Sequence, residues 1–282
     1  MRKVLWVSDY TLKHSQGGAQ RSNNLIIEEG RKRGHQVIEF SVDSPDNLLT
    51  PDYDLMVSSN LEALCRKDRF IEWLTTFPKH VRVEHDSNRY LDDSSRRSLF
   101  KSCRKAFFLS NFHLQQFIDS YGDYFQNAEI IPDPIDPDSF FDKGQEREDK
   151  ILYVGFMHQL KGTNELFSYA VENSDSEFVV AGWANEYHFV QTCENMPNIE
   201  FLGTVPFSEM PNLYNKYETM FYKPTFYEPY CRAVAEAISC GMDVIGNDLI
   251  GCLHHMNEVG KEEMVSQCAR APEIFWESVE CL

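Results

Sequence analysis

Two glutamates, Glu228 and Glu236, stand eight positions apart around a segment that reads as a loop running into a helix. Pro229 suits the first turn of a helix, because its missing N–H would have no helical partner there, and Gly241 is a typical helix end. The apolar residues that follow at helical spacing are Ala233, Val234, Ala237 and Ile238. Two carboxylates around a helix N-terminus suit a ligand with hydroxyl groups at both ends and negative charge in the middle. A nucleotide-sugar is such a ligand.

Two further segments could bind the charged part of such a ligand. Gly17 and Gly18 lie between a predicted strand and a predicted helix, where glycine lets the backbone approach a phosphate or a sugar. The spacing is not Gly-x-Gly-x-x-Gly, so it indicates no nicotinamide or flavin cofactor, and a plain flexible loop is an equal alternative. Lys161 precedes Gly162 and a predicted helix. A lysine there opposes the helix dipole, which makes sense if a phosphate lies between them.

A histidine and two acidic segments complete the candidates. His85 comes at the carboxyl end of a predicted strand, where an imidazole could transfer a proton or bind a sugar hydroxyl. A capping or buried histidine is the alternative. Residues 52–54 and 136–138 both match Asp-x-Asp, a pattern that other sugar transferases use to hold a metal. Two such matches are expected by chance in an acidic chain, so we interpret both as turns and expect no metal.

These residues are spread over alternating strand-like and helix-like segments, which is typical of parallel sheets covered by helices on both faces. The predicted strands are 3–8, 37–40, 55–58, 81–84, 106–110, 129–131, 151–155, 178–181, 199–202, 220–222 and 244–245. The predicted helices include 19–33, 61–76, 112–121, 163–171 and 209–217, besides the one that carries Glu236.

The predicted fold class is therefore α/β, with two Rossmann-like doubly wound domains that face a central cleft. We expect an N-terminal domain at residues 1–141, a charged linker at 142–150, and a C-terminal domain at 151–270. Residues 271–282 are expected to form a helix that could pack back towards the N-terminal domain. Ligands of such sheets bind beyond the carboxyl ends of the strands, so the loops there should carry the chemistry.

Charge and cysteine content narrow the class of protein. The formal net charge of −17 argues against a nucleic-acid partner, although a local cluster of cations can still attract an anionic small molecule. The eight cysteines show no Cys-x-x-Cys pair and no zinc-like arrangement. The first apolar run, residues 4–7, is too short for a signal peptide, and no stretch approaches the roughly 20 apolar residues of a membrane span. We expect a reduced, cytoplasmic protein, with peripheral membrane contact left open.

Together these motifs resemble those of the family 4 glycosyltransferases, retaining enzymes of the GT-B fold, over nearly the whole chain. The matching segments are the Gly17 loop, the strand ending at His85, and residues 131–140, 153–162, 201–207 and 228–241. The Glu-x7-Glu motif from Glu228 to Glu236 is the most specific of them. The resemblance implies transfer of a sugar from a nucleoside diphosphate-sugar, such as a UDP- or GDP-sugar. It also implies retention of anomeric configuration and no metal or other cofactor.

The resemblance further implies roles for single residues. Glu228 would contact hydroxyls of the donor sugar, Glu236 the ribose and Lys161 the diphosphate, while His85 would lie beside the transferred sugar. Catalysis would thus fall to His85, Glu228 and Lys161. The remaining residues expected to bind the donor are Gly17, Gly18, Val205 (in the segment that resembles the one along the nucleobase), Tyr230, Cys231, Arg232 and Glu236. The acceptor would be a glycan, a lipid-linked molecule or a small molecule.

Three departures from the family pattern affect this assignment. Phe156 stands where the family usually has an arginine, so one of two cations for the diphosphate is missing. Arg232 is the candidate to compensate, with an ordinary surface arginine as the alternative. Cys231 stands where the family usually has a glycine, and its side chain limits how closely the backbone can approach the sugar. The chain is also expected to be shorter than most relatives in the domain that selects the acceptor, so the acceptor is the least predictable property.

The sequence therefore predicts a retaining, metal-independent glycosyltransferase of the hexosyl type. Two alternatives stay open. One is a non-catalytic nucleotide-sugar-binding subunit, which Phe156 favours. The other is a nucleotide-sugar epimerase or sugar phosphorylase of the same fold, which the context of Lys161 and of the two glutamates disfavours.

Overall fold

A computed structural model describes residues 1–67, 69–87, 93–122 and 125–282 and divides the chain into two compact units. Unit 1 comprises Met1–Ile135 and Ser266–Leu282, and unit 2 comprises Asp136–Val265. Each unit contains one parallel sheet whose strands are connected mainly by helices. The predicted α/β class with two Rossmann-like units is thereby confirmed. No helix within these described ranges is long and apolar enough to cross a membrane.

The sheet of unit 1 has six strands in the order β2-β1-β3-β4-β5-β6. The strands are β1 Lys3–Val7, β2 Gln36–Phe40, β3 Leu55–Ser58, β4 His80–Val83, β5 Lys105–Phe108 and β6 Ala128–Ile130. The helices are α1 Gly18–Lys32, α2 Phe70–Thr75, α3 Asp93–Ser102 and α4 Asn111–Tyr121, with 3-10 turns at Asp46–Leu48 and Leu64–Arg66. The strands of this parallel sheet are mostly apolar, as expected where helices cover both faces.

The helix predicted at 61–76 is wrong. The segment forms a 3-10 turn at Leu64–Arg66 and then the short helix α2, and the prediction at Asp68 lies outside the described residues. Arg69 has φ 57°, a left-handed conformation that a right-handed helix cannot contain. The Asp9 carboxylate accepts the N–H groups of Ala63 and Leu64, both at 2.8 Å, and so holds the start of the turn. Apolar periodicity alone did not reveal these local interactions.

The C-terminal helix α10, Lys261–Glu280, contributes to unit 1 from Ser266 onwards. Trp276 is fully buried there, and its indole N–H donates to the Ile26 carbonyl at 2.7 Å. A Cβ atom at Gly30 would lie 2.2 Å from Trp276 Cζ2, so only glycine fits at that point of α1 without a shift. Residues around 271–282, for which we predicted a separate packing helix, are therefore part of the core that also contains Val4.

The sheet of unit 2 has five strands in the order β11-β10-β7-β8-β9. The strands are β7 Glu148–Met157, β8 Phe178–Ala184, β9 Ile199–Gly203, β10 Tyr217–Phe221 and β11 Asp243–Ile245. The helices are α5 Thr163–Glu172, α6 Tyr187–Asn195, α7 Met210–Lys216, α8 Arg232–Ser239 and α9 Gly251–Val259, with 3-10 turns at Gln159–Lys161 and Phe207–Glu209. Among the donor-binding candidates of this unit, Lys161 follows the central strand β7, the segment from Glu228 to Glu236 follows its neighbour β10, and Val205 follows β9.

The boundary between the units lies earlier than the charged segment 142–150 suggested. Strand β7 begins inside that segment, at Glu148, and the remainder is hydrogen-bonded to unit 2. Lys143 N–H donates to Asn215 Oδ1 at 2.8 Å, and Arg147 Nη1 donates to the Tyr214 carbonyl at 3.0 Å. The linker prediction is corrected accordingly: the polar side chains of this segment bind loop and helix carbonyls, so a charged composition does not mark a free linker here.

Replacement of Trp276 by alanine should destabilise the protein by about 3–5 kcal/mol, because it leaves a large cavity and removes the hydrogen bond to the Ile26 carbonyl. Urea denaturation followed by circular dichroism measures this free energy of unfolding. Glu277→Ala, on the same helix with a side chain 61% exposed, is the control and should change stability by less than about 0.5 kcal/mol. Equal effects of the two substitutions would show that Trp276 does not anchor the core.

Candidate functional site

The first candidate site is a buried ion pair between two loops of unit 2. Lys161, at the end of the 3-10 turn after β7, donates from Nζ to Glu228 Oε1 at 2.6 Å. Tyr222, the first residue after β10, donates from its hydroxyl to the same oxygen at 2.8 Å. The Glu228 side chain is only 9% exposed, whereas that of Lys161 is 31% exposed. A buried carboxylate is thus held by two donors, one of which also reaches solvent.

The backbone of Glu228 is fixed by a strand-like pairing with the segment before α9. Its N–H donates to the Leu249 carbonyl at 2.7 Å, and its carbonyl accepts the Gly251 N–H at 3.0 Å. The loop that carries Lys161 packs directly against the loop after β10, since a Cβ atom at Gly162 would lie only 2.1 Å from the Lys223 carbonyl oxygen. Gly162 also has φ 81°, which favours glycine. The packing of the two loops therefore requires glycine at position 162, whatever ligand the site binds.

Two stacked tyrosines lie beneath the ion pair. Tyr153, in β7, donates from its hydroxyl to the Lys161 carbonyl at 3.2 Å, and its ring centroid lies 6.0 Å from that of Tyr222. Burial raises the pKa of both phenols above the usual value, so both hydroxyls stay protonated and can donate. Lys161 Nζ also lies 5.1 Å from the ring centroid of Phe226, a cation–π distance. These aromatic residues define the positions of both charged groups.

Glu236 is held in the same way, by one cation and one phenol. Arg232 Nε donates to Glu236 Oε1 at 2.8 Å, and the Tyr214 hydroxyl donates to Oε2 at 3.4 Å. The Arg232 and Glu236 side chains are only 9% and 5% exposed. Burial raises the pKa of Tyr214, and the adjacent Glu236 carboxylate raises it further. Arg232 is therefore not an ordinary surface arginine.

The structure corrects the start of the helix that carries Glu236. Helix α8 begins at Arg232, so Pro229 lies before it rather than in its first turn. Cys231 has φ 73° and ψ 79°, and its carbonyl accepts the N–H groups of Val234 and Ala235, both at 3.1 Å. A left-handed residue cannot belong to the helix, so α8 starts after it. The same dihedral angles explain in physical terms why glycine would suit this position.

The remaining predicted donor-binding residues of unit 2 lie in different surroundings. Tyr230 is 1% exposed and its hydroxyl contacts His255 Nδ1 at 2.9 Å, which places its ring in the core. Phe156, near the end of β7, packs on Trp183 with ring centroids 4.4 Å apart, and Trp183 is 52% exposed. Val205 is half-buried in the loop after β9. An aromatic surface thus takes the place of the expected cation at Phe156.

The second candidate site, in unit 1, is a buried polar cluster around His85. His85 Nε2 lies 3.0 Å from Asn23 Oδ1, and Nδ1 lies 3.6 Å from Asp133 Oδ1. The imidazole is 3% exposed, which favours the buried-histidine alternative that the sequence left open. Gly17 and Gly18 are exposed at the N-terminus of α1, where no side chain caps the first N–H groups. They keep the backbone accessible, as the sequence suggested.

Of the two Asp-x-Asp segments, residues 136–138 lie at the start of a turn, whereas residues 52–54 form irregular chain before β3, with a bend at Asp54. Asp136 Oδ1 accepts the Asp138 N–H at 3.1 Å and Oδ2 accepts the Ser139 hydroxyl at 2.6 Å, while Asp54 Oδ2 accepts the Lys3 N–H at 2.7 Å. Across the described part of the chain, no group of three or more His, Cys, Asp or Glu residues is arranged to hold a metal ion.

Sequence reasoning missed the three tyrosines that organise the ion pairs, Tyr153, Tyr214 and Tyr222. Each lies in or next to a strand or helix among apolar residues, where an aromatic side chain is read as core packing. The rings do pack in the core, since all three are at most 3% exposed. The sequence does indicate that a buried tyrosine hydroxyl needs a hydrogen-bond partner, but it does not identify that partner, which is a carboxylate for Tyr214 and Tyr222 and a backbone carbonyl for Tyr153.

Residues 136–274 match the model of the family described as glycosyl transferases group 1. Solved structures match nearly the whole chain. AviGT4, a glycosyltransferase involved in Avilamycin A biosynthesis, is 16% identical with a TM-score of 0.70, covering 99% of this chain and 97% of that one. Anabaena Alr3699/HepE, solved with UDP-glucose, is 13% identical with a TM-score of 0.67 over 98% and 95%. Sucrose-phosphate synthase (tll1590) from Thermosynechococcus elongatus is 11% identical with a TM-score of 0.71 over 99% and 96%. A search of curated proteins gave no match.

The fold is the GT-B fold of these solved glycosyltransferases. This chain is similar to the group 1 glycosyltransferase family over residues 136–274, slightly under half of its length, as the resemblance to family 4 enzymes indicated. It also covers at least 95% of each of the three solved chains, so it is not markedly shorter than those relatives, contrary to our expectation from the sequence.

The stability of unit 1 should depend on the ionisation of Asp86, whose Oδ2 accepts from Asn60 Nδ2 at 2.9 Å. Burial, and secondarily the nearby Glu84 carboxylate, raise its pKa to about 6. In the unfolded chain the pKa is about 3.9, so the folded state binds a proton that the unfolded state releases between about pH 4 and 6. The stability of the wild-type protein therefore falls as the pH rises through this range.

Asp86→Asn should remove this dependence and gain about 2–3 kcal/mol over wild type between pH 4 and 7, with no further gain above that. Urea unfolding of both proteins at steps of half a pH unit measures the difference, and Asp52→Asn at an exposed position before β3 is the control. A difference between Asp86→Asn and wild type that stays constant from pH 4 to 7 would contradict the raised pKa.

Proposed function

We propose that this protein is a group 1 glycosyltransferase, which transfers a sugar from a nucleoside diphosphate-sugar to an acceptor with retention of anomeric configuration and without a metal. The observation that supports this most is the Lys161–Glu228 pair beyond the carboxyl ends of β7 and β10. The ends of such strands are where ligands of doubly wound sheets bind. A cation next to a hydroxyl-binding carboxylate fits a donor whose diphosphate adjoins a sugar.

The donor class follows from chemistry and is supported by a relative. Lys161 keeps nearly a third of its side-chain surface accessible, so an incoming phosphate can reach its ammonium group. As the bond from the sugar to the diphosphate breaks, negative charge grows on the leaving oxygen, and a positioned cation stabilises it. Alr3699/HepE was solved in complex with UDP and with UDP-glucose. We therefore propose a UDP- or GDP-sugar as the donor.

The two glutamates take different parts of that donor in this proposal. Glu228 accepts hydrogen bonds from hydroxyls of the sugar, and Glu236 accepts from the ribose. Arg232 is bound to Glu236, so it positions that carboxylate, and we retain it as a candidate partner of the diphosphate. Val205, Tyr230 and Cys231 would contribute backbone and packing contacts. A carboxylate that can only accept suits a ligand face that presents O–H donors.

Roles in unit 1 are proposed from its own chemistry. Gly17 and Gly18 would let backbone N–H groups at the start of α1 meet a polar ligand. His85 would contact the transferred sugar, although its imidazole is bonded to Asn23 in the described arrangement. We also propose that the reaction takes place in the cytoplasm, on a glycan, a lipid-linked molecule or a small-molecule acceptor.

A non-catalytic nucleotide-sugar-binding protein is the second candidate, and Phe156 is the observation that favours it. The aromatic pair that Phe156 forms with Trp183 offers no charge to a leaving diphosphate. Binding of a nucleotide-sugar with neither transfer to a panel of sugar, lipid and phenol acceptors nor slow hydrolysis would support this candidate over the enzyme.

Lys161→Met and Glu228→Gln should each lower kcat for transfer or donor hydrolysis by about 10²–10³-fold, because each removes a group that acts on the reacting end of the donor. Chromatographic release of nucleoside diphosphate from UDP- and GDP-sugars measures turnover. Lys150→Met is the matched control: Lys150 lies near the opposite end of β7, is 27% exposed and pairs with Glu177. It should retain wild-type turnover.

Wild-type turnover in Lys161→Met would contradict the proposed site, as would an equal loss in Lys150→Met. Retention is measured on the same reaction by the coupling constant of the anomeric proton in the product, and unchanged turnover in excess EDTA tests metal independence.

A further inference from the structure

Two side chains donate hydrogen bonds to Glu228, and a bound donor substrate would affect them differently. Lys161 and Tyr222 both donate to Oε1, at 2.6 and 2.8 Å. The same carboxylate is the group proposed to accept hydrogen bonds from hydroxyls of the sugar. In the proposed reaction the Lys161 ammonium also serves the diphosphate, a stronger competitor because it carries more than one negative charge. Once Lys161 binds the diphosphate, Glu228 needs another hydrogen-bond donor that stays in place.

Tyr222 has the properties of such a donor. It is 3% exposed, its ring is stacked on Tyr153 of the central strand, and its backbone N–H donates to the Ile245 carbonyl at 3.0 Å. Its hydroxyl is fixed by the packing of three neighbouring strands, unlike a lysine amine at the end of a flexible chain. A hydrogen bond from such a rigid group to a carboxylate costs little conformational entropy on ligand binding.

We infer that Tyr222 is a positioning residue for Glu228, which keeps the carboxylate directed at the donor sugar while Lys161 engages the diphosphate. This inference rests on the proposed function. It predicts a selective defect: loss of the Tyr222 hydroxyl weakens recognition of the sugar but leaves recognition of the nucleoside diphosphate intact. A tyrosine with a merely structural role would affect both ligands together, because it would disturb the whole unit.

Tyr222→Phe tests this prediction, since it keeps the ring and its stacking and removes only the hydroxyl. We expect affinity for the nucleotide-sugar to fall about 10-fold, the scale of one hydrogen bond to a charged group, with affinity for the nucleoside diphosphate unchanged within about twofold. Calorimetric titrations use UDP with UDP-glucose and GDP with GDP-glucose. Tyr217→Phe is the matched control, because Tyr217 begins the same strand, is 1% exposed and contacts Lys216 instead. It should leave both affinities unchanged.

A second measurement tests whether Tyr222 acts on the nucleotide-sugar through Glu228. In a Glu228→Ala background, Tyr222→Phe should have no further effect on the nucleotide-sugar, because its acceptor is gone. A persistent 10-fold loss in that background would overturn the inference, as would equal losses for the two ligands or no loss at all in Tyr222→Phe. Failure of the wild-type protein to bind UDP, GDP and a panel of UDP- and GDP-sugars would instead refute the proposed function, and this inference with it.

Discussion

The site in unit 2 depends on keeping a carboxylate charged where water is largely excluded. Removing Glu228 from water costs several kcal/mol, and only a close cation and good hydrogen bonds offset that penalty. Lys161 and Tyr222 supply them at 2.6 and 2.8 Å. To bring the two donors to one oxygen, the loops after β7 and β10 must touch, which is why no side chain fits at Gly162. The close contact between these two loops thus follows from the need to bind one buried carboxylate.

Both glutamates are bound by the same combination of one cation and one phenol. Glu236 is bound by Arg232 and Tyr214 much as Glu228 is bound by Lys161 and Tyr222. The phosphate of a ligand can displace the carboxylate from an ammonium group. A buried phenol keeps its position when the ligand binds. In a chain with a formal net charge of −17, such local cations are what would draw an anionic donor to the protein. The arrangement can therefore respond to a charged ligand without losing the orientation of its carboxylates.

The sequence was informative where a rule is local or periodic. Strand and helix alternation predicted the two parallel sheets, and the Glu-x7-Glu spacing pointed to the carboxylates that the structure places beside buried cations. It failed where distant groups decide the structure. The linker prediction failed because Arg147 binds carbonyls some 70 positions away, and the helix prediction at 61–76 failed because Asp9 and the left-handed Arg69 impose a turn. Tyr222 was missed because its partner is known only once the two loops are folded.

The account is tested most directly by a crystal structure of the protein with UDP or GDP, whichever binds more tightly. It predicts that a diphosphate oxygen lies within about 3.2 Å of Lys161 Nζ, with the Tyr222 hydroxyl still bonded to Glu228 Oε1. A nucleotide bound elsewhere, with Lys161 still paired to Glu228 and out of reach of the phosphates, would contradict it.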